Sequence, residues 1–174
     1  MTRHLPLRGL AAAVLVIAAG TAGACGKSPK PAAVAGRNVE ALNSPAPPPE
    51  LLGLKVHLED MNHQVQAVNS TYVRASALYS LRRDDVVQGT LQISQFMAKA
   101  PYNEESFRRA FLAQLSGTAA QAYRLGDQTV YQTNGLRQHL AVWFRGQKVY
   151  VLSMRDEFEH PRDLIRAALE LPSS

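Results

Sequence analysis

Cysteine is almost missing from this sequence: of 174 residues, only Cys25 carries a thiol. A single cysteine excludes an internal disulfide and a thiolate metal site. Missing too are the GxSxG, HExxH, P-loop, dinucleotide-binding and CxxC signatures, so no reaction class announces itself through a motif. Long apolar runs are also lacking. The longest stretch of apolar or small residues, LAAAVLVIAAGTAGA at 10–24, rises only about 22 Å as a helix, against a hydrocarbon core of roughly 30 Å. That length argues against a retained membrane helix. A strong charge excess is missing from most of the chain. The net charge is +5, but residues 51–174 carry only +2 and show no basic stripe, which argues against a nucleic-acid partner.

What is present begins at the N-terminus. Residues 1–9 hold Arg3 and Arg8 and no acid, and the short apolar run follows. A basic start, a short apolar stretch and small residues before a cut site are the parts of a signal peptide, here residues 1–24. Ala22-Gly23-Ala24-Cys25 then resembles the lipobox of bacterial membrane lipoproteins. Gly23 and Ala24 match that pattern. Ala22 departs from it, because leucine is usual three residues before the cysteine. The resemblance implies a diacylglycerol on Cys25, cleavage just before it, and a protein held at the extracytoplasmic face of a membrane. Two acyl chains would hold it stably, at about 0.8 kcal/mol per buried methylene. The same residues also read as an A-x-A site, which would leave a soluble secreted protein cut after Ala24. The resemblance covers the first 26 residues only.

Residues 25–50 read as the lipidated cysteine and a disordered tether. Pro29, Pro31, Pro45, Pro47, Pro48 and Pro49 sit among Ala, Gly, Ser and Asn, with few large apolar groups to offset the entropy of ordering.

Residues 51–174 remain for one domain. Leu52–Leu58 alternates and suits a strand. Residues 59–74 fit either a helix or an irregular crossing. Residues 77–83 and 86–97 form a strand pair around Asp84-Asp85. Asn103 suits an N-cap, with Phe107, Phe111 and Leu115 on one face of a helix over 104–116 and Gly117 as its stop. Three strands follow at 128–133, 136–145 and 148–155. Asn134-Gly135 joins the first two, and Arg145-Gly146-Gln147 joins the last two. Pro161 opens a final helix to 171. The expectation is an α+β fold: a mainly antiparallel sheet of about five to six strands with both helices packed on one face. In element order alone this is similar to the PsbP/Mog1-like domains found in some exported lipoproteins, a likeness that does not fix function.

Few residues suggest chemistry. His139 and Trp143 share a strand face with Arg137 and Arg145, an aromatic and basic set that would form a ligand or partner surface if the sheet is open there. If another element covers that face, Trp143 is core. Asp156, Glu157 and His160 could serve a tethered hydrolase, although acids just before a helix start are favoured by the helix dipole alone. His57 and His63 lack the setting that a metal site needs. The sequence thus assigns no cofactor, no metal and no catalytic residue. It points to a non-enzymatic envelope lipoprotein whose domain binds a protein or an apolar small molecule, or supports a larger membrane complex.

Overall fold

The computed structural model describes residue 42 and residues 45–61, 72–117, 119–135 and 138–172. Two antiparallel runs build the sheet. The first comprises β1 (Glu50–Leu51), β2 (Leu54–Met61), β3 (Val73–Arg83) and β4 (Val86–Phe96). Helix α1 (Glu105–Ser116) follows. The second comprises β5 (Gln121–Leu125), β6 (Gln128–Gly135), β7 (Gln138–Arg145) and β8 (Lys148–Arg155), and helix α2 (Pro161–Leu169) ends the order. The strands lie as β1-β2-β3-β4-β8-β7-β6-β5, so β4 against β8 is the one junction between strands not adjacent in sequence.

The α+β class and the antiparallel sheet follow the pattern of the sequence, but the strand number does not. Among the described residues the sheet has eight strands rather than five to six. The two extra are β1, two residues long, and β5, whose five residues bury no side chain fully. The turns at Leu52-Gly53 and Asp84-Asp85 have positive φ at both central residues, the geometry that matches the twist of the strands they join. Asn134-Gly135 does not form the turn between β6 and β7. Gly135 pairs with Gln138, because the register that sets Val130 against Trp143 and Tyr131 against Val142 draws both residues into the ladder. Helix α1 is capped by Glu104 rather than Asn103. It ends as expected at Gly117, whose positive φ lets its amide donate to the Ala113 carbonyl.

The helices lie on opposite faces, not on one. Phe107, Phe111 and Leu112 of α1 cluster with Phe96, Tyr131, Val142, Phe144, Val149 and Val151. Leu164, Ile165 and Ala168 of α2 cluster instead with Leu81, Leu91, Ala141, Trp143, Tyr150 and Leu152. Neighbouring strand residues point to opposite sides. Trp143 and Phe144 therefore serve different helices. The α2 cluster extends from Leu51 and Leu54 near one sheet edge to Tyr123 and Leu125 at the other, so the twisted sheet curls around α2. Leu42, placed in the tether by composition, is 1% exposed within this cluster, and the Pro49 carbonyl accepts a bond from the Val56 amide. The folded part therefore begins upstream of residue 51.

Candidate functional site

Cys25 and Arg137 lie outside the described residues, as does His63. The rest of the aromatic and basic set is not a surface. Trp143 is 0% exposed and stacks on Tyr150 with centroids 5.2 Å apart and planes 5° apart. The sheet face bearing it is covered by α2. Arg145 turns to the end of that helix, donating to the Leu171 carbonyl at 2.8 Å and to the Leu169 carbonyl as well. A guanidinium there meets both the unpaired carbonyls and the negative end of the helix dipole. His139 is half-buried at the rim, its Nε2 3.7 Å from Asp156 Oδ1. Trp143, Tyr150 and Leu152 share one buried cluster with Leu164, Ile165 and Ala168 of α2, an outcome that strand alternation alone does not encode.

The carboxylates near α2 do not assemble into a catalytic set. Asp156, Glu157 and His160 are exposed, and Glu157 faces Arg155 at 3.7 Å. Among the described residues, no three His, Cys, Asp or Glu side chains form a metal-holding group.

Two features escaped the sequence reading. The first joins strands β2 and β3 on the α1 side of the sheet. Ser80 donates to Glu59 Oε1 at 2.5 Å, and Arg82 donates to the same oxygen at 2.6 Å and to the Ser80 hydroxyl at 2.9 Å. A β-bulge near Glu59 brings its carboxylate across to these partners. The Ser80 hydrogen bond first, then Arg82, hold the Glu59 carboxyl below its ordinary pKa of 4.5. Because the folded value is depressed, the stability from this network is complete above about pH 4.5 and falls away as pH drops through the lower folded value. Glu59→Gln should therefore narrow the stability difference from the parent between pH 6 and pH 3, read from urea midpoints. An unchanged difference across that range would show that the carboxylate contributes nothing. Ser80 lies opposite Thr90, which with Val87, Gln138, Ser153 and Arg155 lines a shallow groove of about 300 Å³.

The second feature surrounds β5, the last strand in the sheet order. It pairs only with β6, so half of its amides and carbonyls face away from the sheet. A groove lies on each side of it. Toward α2, a cleft of about 350 Å³ is lined by the whole of β5 with Gln132, Arg162 and Arg166. Three arginines, counting Arg124, and no carboxylate line this cleft. Tyr123 is half-buried there, and burial raises its phenol pKa. Toward α1, a cleft of about 390 Å³ is floored by Leu112, Ala113, Ala119, Ala120, Ala122 and Tyr131. Glu105 and Arg109, paired at 3.1 Å, stand on its α1 wall, and the Tyr131 hydroxyl donates to Glu105 at 3.4 Å. Small residues leave this space: Ala113, Ala119, Ala120 and Ala122 bring no side chain long enough to fill it. In sequence the only signal was a run of alanines around Gly117, which carries no chemistry of its own.

Chemically, the arrangement offers hydrogen-bond donors, positive charge and small apolar space beside an open strand. It supplies no nucleophile activated by a base. No family model, curated protein or solved structure matches the chain.

Proposed function

We propose that this chain is an exported lipoprotein, held by lipid on Cys25 at the outer face of a membrane, where it displays a non-enzymatic α+β binding domain. The observation that carries the reading is the placement of the single cysteine directly after a basic start, a fifteen-residue apolar run and Ala22-Gly23-Ala24. The segment between Cys25 and the buried Leu42 acts as the spacer. No described helix is long and apolar enough to cross a membrane. Binding rather than catalysis is favoured because the clefts flank an open strand, while the acids and histidines that could do chemistry are dispersed.

The test is phase partition of the full chain expressed in a bacterial host, with mass analysis of the mature N-terminus. The parent protein should enter the detergent phase with a diacylglyceryl group on Cys25. Cys25→Ser should move it to the aqueous phase, lowering membrane partition by more than about a hundredfold, since two acyl chains supply the affinity. Mature parent protein cut before Cys25, unacylated and aqueous, would overturn the anchor in favour of a secreted form.

A further inference from the structure

We propose that β5 is a docking edge for an extended segment of a partner protein in which acidic residues alternate with small apolar ones. The segment adds to the sheet as a ninth strand. Three observations converge on this. Strand β5 ends the sheet, and no other described backbone pairs with it. Gln121, Ala122 and Arg124 are exposed along it. The clefts on its two sides differ in character: the α2 side presents Arg162 and Arg166, the latter 3.7 Å from Asp163, with Arg124 at the strand edge, and the α1 side is floored by alanines and Leu112.

An added strand places its side chains alternately on the two faces of the sheet. One set then enters the arginine-lined cleft and the other the alanine-lined one. The main-chain ladder supplies affinity that is blind to sequence, and the two clefts read the alternation. Carboxylates fit the first cleft because guanidinium groups bind them through paired, charge-assisted hydrogen bonds. Side chains about the size of alanine or valine fit the second.

Charge decides among occupants. A second copy pairing β5 with β5 would gather six arginines along one seam, which like-charge repulsion opposes. The chain's own residues 27–41 carry Lys27, Lys30 and Arg37 against Glu40, the wrong sign for this cleft. An acidic partner segment meets neither obstacle. The proposal rests on reading the domain as a binding module and is independent of the lipid.

The experiment uses the full chain in detergent and a fluorescent peptide of four Glu-Val repeats, followed by anisotropy. The peptide should bind, and a Lys-Val peptide of equal length should not. Arg162→Glu with Arg166→Glu should weaken binding at least tenfold while leaving the far-ultraviolet circular dichroism unchanged. Methylating alternate peptide amides should abolish binding in one frame and spare it in the other, because only alternate amides face the edge. Equal effects in both frames, equal binding of the Lys-Val peptide, or a β5-linked dimer that the peptide does not displace would each overturn the proposal. Failure here with lipid found on Cys25 leaves the anchor standing. Peptide binding by mature parent protein that carries no acyl group on Cys25 would overturn the anchor and leave the docking edge standing.

Discussion

Trp143→Ala should destabilise the domain by about 3–5 kcal/mol, the range for emptying a fully buried aromatic site. The indole stacks on Tyr150 and lies in the cluster that joins β7 and β8 to α2. Its removal leaves a cavity bounded by strands that are hydrogen-bonded on both sides and cannot collapse inward. The indole Nε1 is buried without a hydrogen-bond partner among the described residues. Trp143→Phe should therefore cost far less, about 1 kcal/mol, since it keeps most of the apolar area and removes an unsatisfied donor. Urea unfolding followed by circular dichroism checks both, because the only tryptophan is lost as a fluorescent probe. With an m value of about 2 kcal/mol per molar urea, the alanine variant should unfold roughly 2 M earlier. A loss under 0.5 kcal/mol is what an exposed tryptophan would give, and it would reinstate a surface role for His139 and Trp143.

That contrast marks how far the sequence reaches. Alternation located β3, β4, β7 and β8, because each carries a long run of paired apolar positions. Strand β8 carries apolar residues on both sides, as Val149 and Val151 face α1 while Tyr150 and Leu152 face α2. Periodicity does not state which face a helix crosses. Both helices have one apolar side, and the sheet carries buried apolar residues on both faces, one for each helix. The edge strand β5 was illegible for a related reason. A strand paired on one side and exposed along much of its length needs little apolar alternation, and Gln121–Leu125 offers only Tyr123 and Leu125 on its α2 face.

The candidate site was less legible than the fold. Glu59 lies 21 residues before Ser80 and 23 before Arg82, and it meets them only through the register of β2 on β3. The arginine-lined cleft combines Arg124 with Arg162 and Arg166, which the sheet's curl around α2 brings together from distant parts of the chain. Arg145 was legible as a cation near an aromatic, but its use as a helix-end partner depends on where α2 stops. Only the anchor, a local feature of consecutive residues, could be read directly.

Gly89→Ala should cost about 2–3 kcal/mol, the upper part of the range for overpacking, and Gly89→Val more. Gly89 pairs with Leu81 on β3 and with Met154 on β8, beside a bulge that leaves Gln88 without a partner on β3. A Cβ added there would sit 2.5 Å from the Ser153 carbonyl oxygen, a backbone atom that cannot rotate away. Relief requires β4 and β8 to part, and this ladder alone joins β1–β4 to β5–β8. Hydrogen exchange should therefore show protection lost first along Thr90–Gln95 and Lys148–Met154, not at the hairpin turns. A control at Gly146, where added atoms meet open space but φ is +56°, isolates the backbone effect: Gly146→Asn should be nearly neutral, because asparagine tolerates the left-handed region. Since β7, β6 and β5 are registered in turn on β8, a slip at Gly89 should also weaken binding of the Glu-Val peptide, although residue 89 lies four strands from the docking edge. A stable Gly89→Ala protein with full exchange protection would mean that the junction has slack, and that the edge is not held in place by the rest of the sheet.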